Sequence, residues 1–157
     1  MQRLTTCLVI LLLAGCQSMA TDDPSSVWYR IPPGSVLVLN KSLAIPAGRA
    51  HVMLQGGAVV HSASEADVSC RFEVRQLGPR TIKPDNFRIM SYSSQQEWEN
   101  YPNTKRFYKT LRLESDQQTD IQPMVCAYVD FPVTGRPVSW QEIEAALGDY
   151  FTLKPGQ

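Results

Sequence analysis

Residues 68–75 have the sequence Val-Ser-Cys-Arg-Phe-Glu-Val-Arg. Apolar side chains at 68, 70, 72 and 74 alternate with polar or charged ones, so an extended chain has one apolar face and one polar face. This period of two is typical of a half-buried β-strand. We therefore predict a strand over residues 68–75.

Six other segments have a similar character, and each is bounded by clusters of Gly, Pro, Asn, Asp or Ser. Two of the connections predict hairpins. Gly56-Gly57 suits a two-residue type I′ turn in which Gln55 pairs with Ala58, and the polar segment 116–120 joins two longer strands. The six predicted strands are Ser35–Asn40, Arg49–Gln55, Ala58–Ser62, Phe87–Tyr92, Arg106–Glu114 and Ile121–Phe131.

One helix is predicted near the end of the chain. Ser139 and Glu142 have the spacing of a capping box, apolar residues then recur at helical spacing, and Gly148 comes next as a stop signal. A second capping box, Ser94 to Glu97, predicts a short turn of helix inside a polar connection. Together these elements predict a mainly β fold: a single β-sandwich or small barrel of about seven to eight antiparallel strands, with one short C-terminal helix.

Composition limits the chain to one modest domain. It has 157 residues, 43% of them apolar, and 15 Lys and Arg against 15 Asp and Glu. A charge balance near zero gives no electrostatic reason for nucleic acid to be a partner. The composition also excludes a multidomain machine and a disordered tail.

The N-terminus predicts export. Arg3 precedes an apolar run of about ten residues, which is half of the roughly 20 needed for a spanning helix, and small residues come after it. We therefore predict a signal peptide over residues 1–15 in preference to a transmembrane anchor. Residues 16–26 are predicted to be a lipidated cysteine and a polar tether, and residues 27–157 a β-rich periplasmic domain.

The end of this signal, Leu13-Ala14-Gly15-Cys16, resembles the lipobox of bacterial lipoproteins. The resemblance implies that the thiol of Cys16 receives a diacylglycerol, that cleavage occurs before it, and that the new amino terminus is acylated. An anchor of this kind would attach the protein stably to a lipid bilayer. Residue 17 is Gln and not the Asp that usually retains such proteins at the inner membrane, so the expected location is the outer membrane, facing the periplasm.

Of the other three cysteines, one lies in the predicted signal peptide and two lie in the predicted domain. Cys7 leaves with the signal peptide, whereas Cys70 and Cys126 stay in an oxidising compartment where disulfides persist. We predict a bridge between Cys70 and Cys126; two separate buried thiols are the alternative.

The sequence predicts neither a catalytic site nor a metal or cofactor. In the predicted hairpin, Val52 pairs with His61, so the imidazoles of His51 and His61 are expected on opposite faces of the sheet. Met53 is close enough to His51 to suggest a copper site, but packing in the core is the preferred interpretation. No nucleophile elbow, phosphate loop, H-E-x-x-H or C-x-x-C motif occurs in the sequence.

Two features are candidates for binding. The first is the connection from Tyr92 to Lys105, in which Tyr92, Trp98 and Tyr101 lie among polar residues, as in loops that contact proteins or glycans. The alternative is that Trp98 fixes this connection to the core. The second is the basic strand 105–112, in which Arg106, Tyr108 and Arg112 share one face, either to meet an acidic partner or as a solvated face.

The segments Gly34–Gln55 and Cys70–Arg75 resemble small proteobacterial envelope lipoproteins, and this resemblance implies no activity. Small lipoproteins that inhibit lysozyme are also β-rich with few cysteines, but no residues here match their inhibitory loop. We expect a non-catalytic lipoprotein with a structural or interaction role in the envelope, for which an envelope protein or glycan is the expected partner. The alternatives are a periplasmic inhibitor or small-ligand binder, or an envelope hydrolase.

Overall fold

The computed structural model describes residues 20–156, so the predicted signal peptide and Cys16 lie outside the described residues. Helix α1 (Trp140–Leu147) lies between the ninth and tenth strands, and one 3-10 turn (Gly148–Tyr150) comes directly after it. The strands are β1 (Val36–Leu39), β2 (Leu43–Ile45), β3 (His51–Gln55), β4 (Ala58–Val60), β5 (Ser69–Glu73), β6 (Arg80–Ile82), β7 (Asp85–Trp98), β8 (Lys105–Glu114), β9 (Met124–Asp130) and β10 (Phe151–Lys154).

Eight of these strands form one antiparallel sheet in the order β10-β1-β7-β8-β9-β5-β3-β4, and β2 pairs with β6 in a separate small sheet. The large sheet is curled into a half-barrel. Phe72 on β5 lies 5.5 Å from Phe87 on β7 and 5.7 Å from Phe151 on β10, measured between ring centroids. Side chains from strands that are far apart in the sheet therefore meet inside the curl. The predicted mainly β fold with one short C-terminal helix is confirmed.

Both predicted hairpins are present. Gln55 pairs with Ala58, and Gly56 and Gly57 have positive φ angles of 58° and 78°, which suit the type I′ turn. Strands β8 and β9 pair from Lys105 with Asp130 to Leu111 with Met124. In β5, Cys70 and Phe72 are fully buried while Arg71 is exposed, as the alternating sequence predicts.

Helix α1 begins at the predicted capping box. The backbone N–H of Glu142 donates to the Ser139 hydroxyl, and the Glu142 carboxylate accepts from the Ser139 N–H at 2.9 Å. The helix packs on β3, β5 and β10, across the open side of the half-barrel. At its end, Gly57 in the β3–β4 turn donates to the carbonyl of Ala146 at 3.1 Å, so α1 connects the two ends of the curled sheet.

The prediction of a helical turn after Ser94 is wrong, because β7 continues through Glu97 to Trp98 and pairs with β8 along this length. The register shifts once, between Ile89 and Ser91, where Met90 is an extra residue in β7. This β-bulge keeps Ile89 and Tyr92 on the same face although three positions separate them.

The segment Thr21–Ser26, which the sequence analysis assigned to the tether, is folded against the domain. Thr21 bridges to Tyr29, and the carbonyl of Pro24 accepts from the N–H of Gln141 in α1 at 3.0 Å. Burial raises the pKa of Tyr29, and the nearby charges of Glu144 and Asp22 raise it further. The N-terminal segment therefore contacts α1, and Asp22 lines a groove together with the middle of β7.

The predicted disulfide is confirmed. Cys70 on β5 and Cys126 on β9 are directly opposite each other, with their Cα atoms 4.0 Å apart, and both are fully buried. The bridge therefore joins neighbouring strands inside the half-barrel.

Candidate interaction surfaces

The candidate binding residues lie on two faces of the long β7–β8 hairpin. Tyr92 pairs with buried Leu111 and Trp98 pairs with Lys105, which places both aromatic residues on the inner face of the curled sheet. The alternation of β8 places Arg106, Tyr108 and Arg112 on the outer face. The two predicted groups therefore lie on different faces, and within the first group Tyr92 packs against the core, away from exposed Trp98 and Tyr101.

Trp98 is not part of the core. Its side chain is 67% exposed at the end of β7, although its position in the register belongs to the inner face. The amine of Lys105 lies 4.6 Å from the centre of its ring, in a cation–π arrangement. The interpretation that Trp98 fixes the connection to the core is therefore wrong, because the half-barrel does not extend over this end of the hairpin.

Other exposed apolar residues lie at the same end of the sheet as Trp98. Lys105 pairs with Trp98 on one side and with Asp130 on the other, so the end of β7, the start of β8 and the end of β9 are adjacent. The turn after β7 and the loop after β9 project from this end. We call the group the hairpin-end patch; its members are Trp98, Tyr101 (71% exposed), Phe131 and Val133 (94% exposed).

The turn that carries Tyr101 is held by hydrogen bonds. Glu99 donates its N–H to the carbonyl of Thr104, and Thr104 donates to the carbonyl of Tyr101. Arg106 then makes ion pairs with Glu99 and, at 3.3 Å, with Glu65 from the loop before β5. Burial opposes the charge of Arg106, but these two carboxylates outweigh it and raise its pKa. Arg106 therefore links the turn after β7 to the loop before β5.

The outer face has a different character. Tyr108 is half-buried there, and Arg112 is exposed beside an open depression of about 470 Å³ that Arg75 and Arg88 also line. Arg88 makes two hydrogen bonds to Asp116, at 2.8 and 2.9 Å, which raise its pKa and lower that of Asp116. This face thus carries charges of both signs, of which Arg88 and Asp116 are paired.

His51, Met53 and His61 all line one cavity of about 220 Å³. The predicted register of this hairpin is confirmed as far as the pair Met53 and Val60, where β4 ends, so His61 lies just beyond the last paired residue. Among residues 20–156, no group of three or more His, Cys, Asp or Glu side chains is placed to hold a metal ion.

Lys109 is a buried charged residue that was not predicted as a site residue. It is 1% exposed and lies on the inner face of β8, opposite Cys126 on one side and Ser94 on the other. Its position between Phe107 and Leu111 in an alternating strand is the sequence signal that would have identified it.

In the part of the chain that the structure covers, we find no helix with the length and apolar character needed to cross a membrane. No protein-family model, no curated protein and no solved structure matches this chain.

Proposed function

We propose that this chain is a lipoprotein of the outer membrane, anchored through acylated Cys16, whose β domain faces the periplasm and acts by binding another envelope protein. The lipobox Leu13-Ala14-Gly15-Cys16 and Gln17 support the anchor and its location. The hairpin-end patch is the observation that carries the binding role. We propose no catalytic step and no cofactor.

The chemistry of the hairpin-end patch favours a protein partner. Single exposed apolar residues are common, but exposed aromatic residues grouped at one end of a sheet mark interaction sites. Aromatic residues and Arg are enriched in protein interfaces, where they often provide most of the binding energy. Trp98 and Tyr101 have this character, and charged Lys105 and Glu97 lie beside them as a polar rim.

The ion pairs of Arg106 with Glu65 and Glu99 support the same proposal. A surface that is already ordered loses less conformational entropy on binding than a free loop does. The ion pairs of Arg106 with Glu99 and Glu65, together with the hydrogen-bonded turn, hold Tyr101 in place before a partner arrives.

Photo-crosslinking in intact cells tests the binding role. A benzoylphenylalanine introduced at Tyr101 is expected to form a discrete product with one envelope protein, and Trp98→Ala should reduce its yield without lowering the melting temperature. The matched control is the same probe at Arg112, which is exposed on the outer face of the same hairpin and should give no such product. A product that disappears on lysozyme digestion would identify a glycan partner and would contradict a protein one.

The anchor is tested in the same cells. Cys16→Ala is expected to move the protein from the membrane fraction to the soluble fraction, because its acyl chains would be missing. Unchanged fractionation of this variant would contradict the lipoprotein proposal.

A further inference from the structure

The segment 21–31 carries an exposed apolar side chain. The N–H of Thr21 donates to the carbonyl of Trp28 at 3.4 Å, and Arg30 donates to the carbonyl of Thr21 at 3.2 Å. Tyr29 and Ile31 are buried, whereas Trp28 is 56% exposed and Arg30 is exposed. The alternation therefore turns Trp28 and Arg30 outward at the point where the chain enters the domain.

An apolar groove lies beside Arg30, between this segment and β7. Ile31, Pro32 and Pro33 form one wall, and the bulge of β7 forms the other, with Met90 52% exposed. The groove has a volume of about 510 Å³, and Asp22 and Arg30 also line it. We call Trp28, Arg30 and Met90 the N-terminal surface.

We propose that the N-terminal surface lies on the lipid bilayer that holds acylated Cys16. This inference rests on the lipoprotein proposed above. Only five peptide units separate Cys16 from Thr21, so even a fully extended chain keeps Thr21 within about 18 Å of the lipidated residue. The N-terminal surface is next to Thr21 and is therefore confined near the headgroups.

The side chains of the N-terminal surface suit a bilayer interface. Trp is enriched at the headgroup level because its ring is apolar while its N–H is polar. Met90 provides apolar area, and the guanidinium of Arg30 can bind lipid phosphates. Asp22 and Asp23 offset the charge of Arg30, so the contact should not depend on anionic lipids.

The second exposed tryptophan provides an internal control. Tyr29 of the N-terminal segment lies near Tyr92, and Trp98 comes six residues later on β7, about 20 Å along the strand. The remaining tryptophan, Trp140, is buried in α1 and contributes a constant background. Trp28 and Trp98 thus report on two distant surfaces of the same protein.

Fluorescence quenching by brominated lipid tests the proposal. The mature lipidated protein is reconstituted in phosphatidylcholine vesicles with or without bromine on the acyl chains, as the variants Trp98→Phe and Trp28→Phe. We expect bromine to reduce the emission of Trp98→Phe, in which Trp28 reports, and to leave that of Trp28→Phe nearly unchanged. Adding anionic lipid should not alter this difference.

The outcomes separate the two proposals. Vesicle-bound protein in which Trp28 is not quenched, or in which Trp98 is quenched as strongly, would overturn the membrane contact of the N-terminal surface and leave the anchor intact. Protein that does not float with vesicles and whose mass shows an unmodified Cys16 would overturn the lipoprotein proposal and the membrane contact together.

Discussion

Lys109 places an amine in the core, where a charged group raises the free energy of the folded state. Burial lowers its pKa, and the negative charge of Glu142 on α1 opposes this effect only in part. Glu142 has other partners, since Arg136 donates two hydrogen bonds to it at 2.9 and 3.0 Å and Ser139 donates as well. Lys109 is therefore a net cost to the folded state at neutral pH.

We expect Lys109→Met to stabilise the domain at pH 7 by about 1–3 kcal/mol, because Met keeps the length of the side chain without its charge. In the wild type, the unfolded chain binds more protons than the folded chain between the lowered pKa of Lys109 and its ordinary value of 10.5. Stability due to this group should therefore rise with pH through that window. Urea unfolding from pH 7 to 10.5 should show the rise in the wild type and a reduced one in Lys109→Met.

The control for this prediction is Lys154→Met, since Lys154 is exposed on β10 and its removal should change the unfolding curves little. A lower free energy of unfolding for Lys109→Met would mean that the attraction to Glu142 exceeds the cost of burial.

At the scale of elements, the same four-residue pattern has two outcomes. Ser139 to Glu142 caps a helix, and Ser94 to Glu97 lies in a strand. The difference is in the neighbouring apolar residues, because Trp140, Ile143 and Leu147 form an apolar stripe with helical spacing. No such stripe accompanies Ser94. The motif therefore predicts a helix only when an apolar periodicity supports it.

We expect Ser139→Ala to lower the free energy of unfolding by about 1 kcal/mol, because the N–H of Glu142 loses its capping oxygen. The matched control is Ser94→Ala, in which the same residue of the same motif is exposed within β7. Equal losses in the two variants, measured by thermal unfolding, would contradict the capping role of Ser139.

The full length of β7 could not be predicted from its own residues. Its polar second half, Ser93–Glu97, has no apolar alternation, and it is extended because β8 pairs with it from Trp98 back to Ser91. The bulge at Met90 is also set by this pairing, since two residues oppose Arg112 there. By contrast, β5 and β8 carry alternation in their own sequence, so their faces were predicted correctly. The same distinction explains why the residues alone left the position of Trp98, exposed or packed on the core, open.

For the whole molecule, the strands that were missed are short and depend on distant partners. Strand β10 pairs with β1 from the other end of the chain, and β2 pairs with β6 across more than 30 residues. Three to four residues carry too little periodicity to be recognised alone. The pairing of β1 with β10 and the packing of α1 on β3, β5 and β10 join parts of the chain that are distant in sequence. Local periodicity therefore did not distinguish a sandwich from a barrel.

The most consequential junction in this curled sheet is between β5 and β9. Strands β3, β4 and β5 join the other five strands of the sheet through this pairing, which covers Ser69–Arg71 and a single bridge from Val74 to Ile121. The disulfide crosses this junction between positions 56 residues apart. In the chain-entropy model, closing such a loop stabilises the folded state by up to about 4 kcal/mol.

We expect reduction of the wild type to lower the free energy of unfolding by about 2–4 kcal/mol, because the unfolded chain regains the freedom that the bridge removes. The variant Cys70→Ala with Cys126→Ala should lose at least as much, since both sulfur atoms are buried and their packing is lost as well. Reductant should have no further effect on this variant. The loss in the reduced wild type measures the cross-link, and the additional loss in the double variant measures the packing of the sulfur atoms. Two outcomes would contradict this role of the bridge: a mass of the mature protein that corresponds to two free thiols, or a wild-type unfolding curve that reductant does not shift. Either would show that the short β5–β9 pairing holds the two parts of the sheet together without the bridge.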